Sequence, residues 1–511
     1  MPTFKPYNKD QMFLLPPSLE EMISSNHPVR IVDTVIEKID ISPLLRKYKK
    51  HGTSSYHPKM LLKVLTYSYL KNVYSSRKIE ELLKENIHMM WISGMNHPDH
   101  HTINRFRSER LKNVLEKIFS QIVNLLIEAG QLSIKELYID GTKLEAQANK
   151  YTFVWSKTVK KNKSRIKEQL KELWKYSQEV ARSESLDQED GDDDFDEIDS
   201  EKIEETIKKI DKALKDKPVS KRVRQKLNYA KKNWSKNYQK YEEYEKKLGS
   251  RNSFSKTDEG ATFMRMKEDH MLNGQLKAGY NLQISSNKQY ILNYSIHQNP
   301  SDTTTLREHI NLYKESYDQM PEVVIADAGY GSEENYEYLE DQGIEAYVKY
   351  NYFDKEQKKT KIDKKPFATD KLYYNQEKDC YYCPIGQKME KIGERVKITE
   401  NNYSRTISLY QAINCRGCPI RGVCHNQKGN RIISVSHRGN YLKKKAKEKL
   451  ESEKGLYYRK KRPVEAESVF GNIKQNKKFR RFYLRGLEKV KIEFGLIAIS
   501  HNLAKLVYQY Q

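Results

Sequence analysis

Three acidic residues have the type and the setting that metal ligands have in nucleases. Asp140 closes an apolar stretch, Leu-Tyr-Ile-Asp, Asp327 closes another, Val-Val-Ile-Ala-Asp, and Glu467 opens an amphipathic helical stretch. Hard divalent cations prefer carboxylate oxygens, and two of them about 3.5–4 Å apart can activate a water and stabilise the leaving oxygen in phosphodiester cleavage. We therefore predict that Asp140, Asp327 and Glu467 together hold two Mg²⁺ or Mn²⁺ ions.

Each acid also has an ordinary structural interpretation when it is taken alone. Asp140 with Gly141 is a common hairpin turn pair, Asp327 can cap a turn between a strand and a helix, and Glu467 can lie on a solvated helix face. The occurrence of all three in this order favours the metal site. Three further acids are alternatives for a place in it: Asp258, Asp302 and Glu465.

The sequence around these acids resembles the catalytic blocks of DDE transposases from bacterial insertion sequences. The resemblance rests on Tyr-Ile-Asp140-Gly-Thr, on Ala-Asp327-Ala-Gly-Tyr-Gly and on Glu467-x-Val-Phe-Gly-x-Ile-Lys474, and it continues in a later Phe-Arg-Arg-Phe-Tyr-Leu-Arg. It implies a ribonuclease-H-like catalytic domain that cleaves DNA and transfers strands. It also implies binding to the terminal inverted repeats of a mobile element and to target DNA, as a homodimer.

Much of this family carries a Tyr-x2-Arg-x3-Glu-x6-Lys signature. Glu467 and Lys474 match its second half, which implies that Lys474 contacts a DNA phosphate near the cut. Tyr458 and Arg462 correspond to its first half, although the gap between them and the gap from Arg462 to Glu467 are each one residue longer than the signature. We expect Tyr458, Arg462 and Lys474 to contact DNA.

The charge of the chain predicts a polyanionic partner. Its 511 residues, enough for three or four domains, carry a net charge of +24. Eleven acids and no Lys or Arg lie in 184–201, a run typical of a mobile loop, and without them the rest of the chain carries +35. From 438 to 485 there are seventeen Lys or Arg against five Glu. Because this basic surplus brackets Glu467, we expect it to neutralise the phosphates of DNA entering the site.

The sequence also excludes some classes of protein. No run of 18 uncharged apolar residues occurs, and the first residues lack the apolar core of a signal peptide. We therefore expect a cytoplasmic protein with no membrane partner. The phosphate loop Gly-x4-Gly-Lys-Ser/Thr is absent as well, so we expect no nucleotide cofactor.

The first 130 residues have the pattern of a helical domain. Apolar residues recur at helical spacing up to Gly130, and Asp99 is placed to cap one long helix that ends there. The first turns of that helix carry Arg105 and Arg107. With the resemblance, this predicts that residues 1–130 form a helix-turn-helix-like domain that binds the DNA ends. The alternative is a plain helical bundle whose arginines face water.

We predict a multidomain α/β fold, in which the helical domain precedes a ribonuclease-H-like mixed sheet with helices. Asp140 lies on the first strand, which turns at Gly141 and Thr142 into a returning strand, and Asp327 ends the fourth strand. Two insertions interrupt this catalytic domain. It is then made of three pieces: residues 131–156, 251–355 and 438–511.

The first insertion, residues 157–250, has a helical pattern rich in Lys and Glu. Apolar residues, mostly isoleucine and leucine, recur every three or four positions on each side of a break at Pro218. This pattern predicts two helices packed as an antiparallel, coiled-coil-like hairpin, with the acidic loop 184–201 before them.

The second insertion, residues 356–437, contains all five cysteines of the chain. Two Cys-x2-Cys pairs can surround a tetrahedral Zn²⁺ with four thiolates. This predicts a zinc-ribbon-like domain with a structural Zn²⁺ on Cys380, Cys383, Cys415 and Cys418. Cys424 is an alternative ligand, and reduced cysteines in a loop domain are the alternative to zinc binding.

Two other functions compete with a transposase. One is a metal-dependent DNA nuclease of the same fold that cleaves without strand transfer. The other is a non-catalytic, zinc-containing DNA-binding protein derived from a transposase. The presence of Asp140, Asp327 and Glu467 together argues against the second.

Overall fold

A computed structural model describes residues 18–48, 54–182, 198–266, 274–357 and 366–510. Most of the predicted acidic loop 184–201 lies outside the described residues. Within these ranges no helix combines the length and the apolar character needed to cross a membrane.

Every regular element between residues 28 and 128 is helical. Asp99 caps α6 by accepting a hydrogen bond from the Thr102 backbone N–H at 2.8 Å. The long helix predicted after this cap is in fact two helices, because a π-helical turn at Phe106–Arg110 and the left-handed Asn113 (φ 59°) separate them. The helices are α1 (Pro28–Glu37), α2 (Ser42–Leu45), α3 (Pro58–Leu70), α4 (Ser76–Glu85), α5 (Ile87–Ser93), α6 (His100–Arg105) and α7 (Leu115–Glu128).

The first strand, β1 (Glu136–Glu145), runs without a turn through Gly141. The predicted hairpin turn at Gly141 and Thr142 is therefore wrong. A Cβ on Gly141 would lie 2.6 Å from both the nitrogen and the oxygen of the Gln283 side-chain amide. Glycine is needed here because that amide crosses the strand closely, and not because the chain turns.

The first insertion contains three helices rather than the predicted hairpin of two. A short antiparallel pair of strands, β2 and β3, closes it at its base. The predicted helices correspond to the second and third, and the first joins them in one apolar core that includes Leu170, Ile207 and Trp234. Its elements are β2 (Phe153–Trp155), α8 (Ser156–Arg182), α9 (Ser200–Ala213), α10 (Lys221–Leu248) and β3 (Ser253–Ser255).

A mixed sheet forms the centre of the molecule, which agrees with the predicted α/β class. Strand β5 pairs antiparallel with β1 on one edge and with β4 and β6 on the other, while β1, β7 and β8 are mutually parallel neighbours in that order. Its elements are β4 (Thr262–Arg265), β5 (Leu276–Asn287), β6 (Tyr290–His297), α11 (Leu306–Tyr317), β7 (Val323–Ala326), α12 (Glu333–Asp341), β8 (Glu345–Val348) and α13 (Phe353–Glu356).

The cysteine-containing segment forms a separate antiparallel sheet with its own core. The strand order is β13-β12-β11-β10-β9, and Tyr381, Met389 and Tyr410 are buried at its centre. Its elements are β9 (Tyr374–Asn375), β10 (Cys380–Tyr382), β11 (Lys388–Ile398), β12 (Ser404–Ala412), α14 (Arg421–Cys424) and β13 (Ile432–Val435).

The C-terminal helices join the N-terminal helices to the central sheet. The last of them packs against α3, α7 and β6, with Phe494 and Ile497 fully buried. The N-terminal helices and the sheet therefore share one apolar core. These elements are α15 (His437–Glu451), α16 (Glu453–Arg462), a π-helical turn (Pro463–Glu467), α17 (Ser468–Gly471), a second π-helical turn (Asn472–Asn476) and α18 (Leu487–Tyr510).

Candidate active site

The pairing of two parallel strands brings Asp140 and Asp327 together. Ile139 of β1 lies opposite Ala326 of β7, so the next residue on each strand is an aspartate at the same edge of the sheet. Asp140 is nearly buried, and its carboxylate accepts a hydrogen bond from the Gly141 backbone N–H at 2.9 Å. The orientation of the Asp140 side chain is therefore fixed by its own strand.

The guanidinium of Arg462 lies between these two aspartates and Glu467. Its Nη2 is 3.1 Å from Glu467 Oε1 and 3.5 Å from Asp327 Oδ2, and its Nη1 is 3.7 Å from Asp140 Oδ1. Arg462 is buried, whereas the side chains of Asp327 and Glu467 are 43% and 55% exposed. The three acids thus surround one cation in a site that is open to solvent on one side.

A π-helical turn makes the contact between Arg462 and Glu467 geometrically feasible. In an α-helix, residues five apart point about 140° away from each other. The π-helical turn at Pro463–Glu467 adds one residue to the turn, so the side chains at its two ends meet on one face. The extra residue between Arg462 and Glu467, which breaks the family signature in sequence, is accommodated by this turn.

Lys474 reaches the same strand as Asp140. Its Nζ donates a hydrogen bond to Thr142 Oγ1 at 2.8 Å. Thr142 is two residues after Asp140 and so lies on the same face of β1. The ammonium of Lys474 is therefore held beside the acidic cluster.

Two family models match the chain. The model described as a transposase DDE domain matches residues 382–507, which include Arg462, Glu467 and Lys474, and the model described as a transposase domain (DUF772) matches residues 17–109. The chain belongs to the DDE transposases of insertion sequences. No curated protein and no solved structure matches it. Because Asp140 and Asp327 lie outside both matched segments, the fold alone connects them to Glu467.

Of the alternative acids, Glu465 faces away from the site of the transposase. It is buried, its carboxylate accepts a hydrogen bond from the Gln289 backbone N–H at 2.8 Å, and its carbonyl oxygen accepts one from Ser286 Oγ at 2.9 Å. Asp258 is buried as well, and its Oδ1 accepts hydrogen bonds from Tyr280 Oη at 2.8 Å and from the Gly486 backbone N–H at 3.0 Å. Both acids therefore have structural partners, and Asp302 is the one that borders the site.

Glu465→Gln and Glu467→Gln are expected to have opposite effects. Glu465→Gln should lower the free energy of unfolding by about 1–3 kcal/mol, because it weakens buried hydrogen bonds of a charged acceptor, and should keep DNA cleavage within about threefold of the parent. Glu467→Gln should abolish cleavage with little change in stability. Urea denaturation and a cleavage assay measure the two quantities. Loss of cleavage in Glu465→Gln alone would exchange the roles of the two glutamates.

Two residues expected at DNA are in fact buried structural residues. Arg107 donates hydrogen bonds to Tyr69 Oη at 3.0 Å and to the Tyr74 carbonyl oxygen at 2.7 Å, so its guanidinium is taken up inside the helical domain. Tyr458 is buried and donates a hydrogen bond to Glu136 Oε1 at 2.9 Å. Neither side chain presents a group to DNA, and of the pair Arg105 and Arg107 only the exposed Arg105 suits that role.

The predicted zinc site is not supported. Cys415 Sγ accepts a hydrogen bond from the Arg431 backbone N–H at 3.3 Å, and Cys424 Sγ accepts one from the Arg431 guanidinium at 3.0 Å. Cys380 instead contacts the hydroxyl of Tyr382. In the part of the chain that is described, no three His, Cys, Asp or Glu side chains are grouped to hold a metal ion. At the acidic cluster, the Arg462 guanidinium occupies the space between the carboxylates.

Proposed function

We propose that this transposase binds the ends of an insertion sequence, cleaves DNA there and joins the freed 3′ hydroxyls to target DNA. One observation supports the proposal most strongly. Carboxylates from a strand, from the end of its parallel neighbour and from the C-terminal helical segment all face a single cation, although 327 residues separate the first from the last. A structural ion pair needs only one acid, and three around one guanidinium suit a site that holds divalent cations.

We also propose that the central sheet is ribonuclease-H-like. Three antiparallel strands, β1, β5 and β6, are followed by a helix and then by the parallel strands β7 and β8. Asp140 lies on the first of these strands, and Asp327 directly follows the fourth. This order is the one that the sequence predicts for such a fold, with the short strand β4 and the helical insertion added between β1 and β5.

The residues of the cluster fit a divalent metal. Its donors are carboxylate oxygens, which Mg²⁺ and Mn²⁺ prefer, and the buried guanidinium marks a position of strongly negative potential. Members of this family generally use divalent metals. Bound there, such ions would activate the attacking oxygen and stabilise the leaving oxygen. Asp140, Asp327 and Glu467 would hold them.

The side chains of the chain position DNA for this exchange. Arg462 has a fork of N–H donors that matches a phosphate as well as a carboxylate, so a DNA phosphate can take it from the acids. Lys474, held at Thr142, presents a positive charge to the neighbouring phosphate. Exchange of one phosphodiester for another needs no nucleotide energy source, which agrees with the absence of a phosphate-binding loop from the sequence.

An assay of joined products tests the proposal against its main alternative. Purified protein is incubated with DNA that contains the element ends, a target plasmid and Mg²⁺. A transposase gives end DNA covalently joined to the plasmid, whereas a nuclease of the same fold gives cut ends alone. Absence of both products would contradict a catalytic function.

Lys474→Ala is expected to weaken both end binding and cleavage. The loss of one phosphate contact releases about one fewer counterion, so the slope of log Kd against log salt should fall by about one. Filter binding at several salt concentrations measures this slope. Lys246→Ala, which removes an exposed charge from α10, is the control and should leave it unchanged. An unchanged slope together with unchanged strand transfer in Lys474→Ala would contradict the assignment.

A further inference from the structure

A fourth acid, Asp302, borders the cluster and has no role in the function proposed above. It opens the turn between β6 and α11, and it is half-buried. Its Oδ1 accepts hydrogen bonds from the side-chain amides of Asn281 at 2.8 Å and Gln283 at 3.0 Å. Both of these amides are fully buried on β5. A carboxylate that takes two buried donors is a fixed element of the structure.

The carboxylate of Asp302 determines which way the Gln283 amide points. A carboxylate only accepts hydrogen bonds, so Gln283 must turn its NH2 group toward Asp302. Its oxygen then faces the other way, where it accepts a hydrogen bond from Tyr330 Oη. The same amide lies against Gly141, at 2.6 Å from the position of a Cβ there. One oriented amide thus links the residue after Asp140 to Tyr330.

Tyr330 belongs to the loop that follows Asp327. Burial, and after it the negative charges of Asp302, Asp140 and Asp327, raise the pKa of Tyr330 well above its ordinary value. The phenol is therefore neutral and donates its proton to Gln283. It also lies within reach of the field of three carboxylates, which makes it the centre of the acidic cluster on the side away from solvent.

A second set of contacts joins the same two segments. A Cβ on Gly329 would lie 3.3 Å from Asp302 Oδ2, so the loop after Asp327 passes directly over this carboxylate. Thr303 Oγ1 donates to the Gly329 carbonyl oxygen at 2.9 Å. The side-chain amide of Asn335 donates to the carbonyl oxygens of Thr303 at 2.9 Å and Tyr330 at 2.8 Å. The turn that starts at Asp302 and the loop after Asp327 are thus tied together.

We propose that Asp302 is a positioning residue of the active site: it orients Gln283, which holds Tyr330 and the loop carrying Asp327 at a fixed distance from Asp140. Metal ligands on two different strands bind well only when their separation is held, and the partners that orient ligands contribute about 10–100-fold to metal affinity. This inference rests on the proposed function, because it assigns Asp302 to the same metal site.

Two substitutions at this position separate positioning from direct metal binding. Asp302→Asn keeps an acceptor oxygen for the two amides but removes the charge. Asp302→Ala removes both and frees Gln283 to reverse its amide. Asp341→Ala, which removes an exposed carboxylate from α12, is the matched control. All four proteins are compared in thermal unfolding, in the Mg²⁺ dependence of end cleavage and in amide hydrogen exchange of the segment 327–331.

Positioning predicts a specific order of effects. Asp302→Ala should raise the Mg²⁺ concentration for half-maximal cleavage by about 10-fold or more, and should speed exchange of the backbone amides of Tyr330 and Gly331, which are hydrogen-bonded within the loop. Asp302→Asn should stay within about fivefold of the parent in the first and unchanged in the second. Asp341→Ala should match the parent in both.

Other outcomes would overturn the inference. If Asp302→Asn is as defective as Asp302→Ala and neither changes exchange in 327–331, the carboxylate binds metal directly. If Asp302→Ala leaves exchange in 327–331 unchanged, it does not hold the loop. A fall in thermal stability with no change in the Mg²⁺ dependence would make Asp302 merely structural. A parent protein with no Mg²⁺-dependent cleavage would refute the proposed function itself, and the exchange data would then judge the hold on the loop separately.

Discussion

Replacing Asp327 with asparagine is expected to lower Mg²⁺-dependent cleavage of end DNA by more than about 100-fold. The amide keeps the size of the side chain and its hydrogen-bonding capacity, but it cannot supply the anionic oxygen that a hard cation prefers. Because Asp327 is 43% exposed and contacts Arg462 only at 3.5 Å, its charge is not needed for folding. Binding of the end DNA should therefore remain.

The effect of Asp327→Asn is measured as the single-turnover cleavage rate, with gel-shift binding of the same DNA as the second readout. Asp341→Asn, an exposed acid on the neighbouring helix, is the control and should cleave at the parent rate. Cleavage by Asp327→Asn within about threefold of the parent would remove Asp327 from the metal site. Loss of DNA binding together with cleavage would indicate a folding defect instead.

Arg462→Ala is expected to change metal binding and catalysis in opposite directions. In the free protein the guanidinium compensates three carboxylates, and its removal leaves their mutual repulsion uncompensated. Mn²⁺ should then bind the free protein about 10-fold more tightly. Cleavage should nevertheless fall by about 10²–10³-fold, because the phosphate loses a preorganised positive group.

Titration of free protein with Mn²⁺, followed by electron paramagnetic resonance, measures the first effect of Arg462→Ala, and a cleavage assay measures the second. Lys460→Ala removes an exposed charge from the same helix and should alter neither. Weaker Mn²⁺ binding by Arg462→Ala would mean that the three acids do not form the metal site.

The strands that carry the aspartates were predictable because both are short apolar runs that end in an acid. Parallel pairing of such buried runs is a common arrangement, and the register Ile139 to Ala326 follows from it. Gly141 was misread as a turn because a glycine after an aspartate has the same local pattern in a turn and in a strand. What decides between them is the Gln283 amide that crosses β1, and Gln283 lies 142 residues away in sequence.

The C-terminal part of the site depends on a feature that residue spacing does not reveal. Arg462 and Glu467 are five residues apart, so an α-helical reading separates their side chains. The π-helical turn that brings them together is stabilised by the tertiary contact of this segment with β1 and β5. Gln283 and Tyr330 were missed altogether, although Tyr330 stands in the Asp-Ala-Gly-Tyr block that the sequence singles out.

The misplaced predictions have a common cause. Arginines on a helix and cysteines in pairs are each consistent with a functional and with a structural role, and the choice depends on what faces them. Arg107 faces Tyr69 and the Tyr74 carbonyl inside the helical domain, and Cys415 and Cys424 face Arg431. Such partners are distant in sequence and come together only through the fold.

The site of Mn²⁺ in crystals of the protein bound to end DNA tests the central claim most directly. Anomalous diffraction locates the ion without reference to any activity. We expect the peak among the carboxylates of Asp140, Asp327 and Glu467, with the Arg462 guanidinium turned toward a DNA phosphate. A peak held by Glu465, by Asp258 or by the cysteine sheet, with Arg462 still between the three acids, would contradict it.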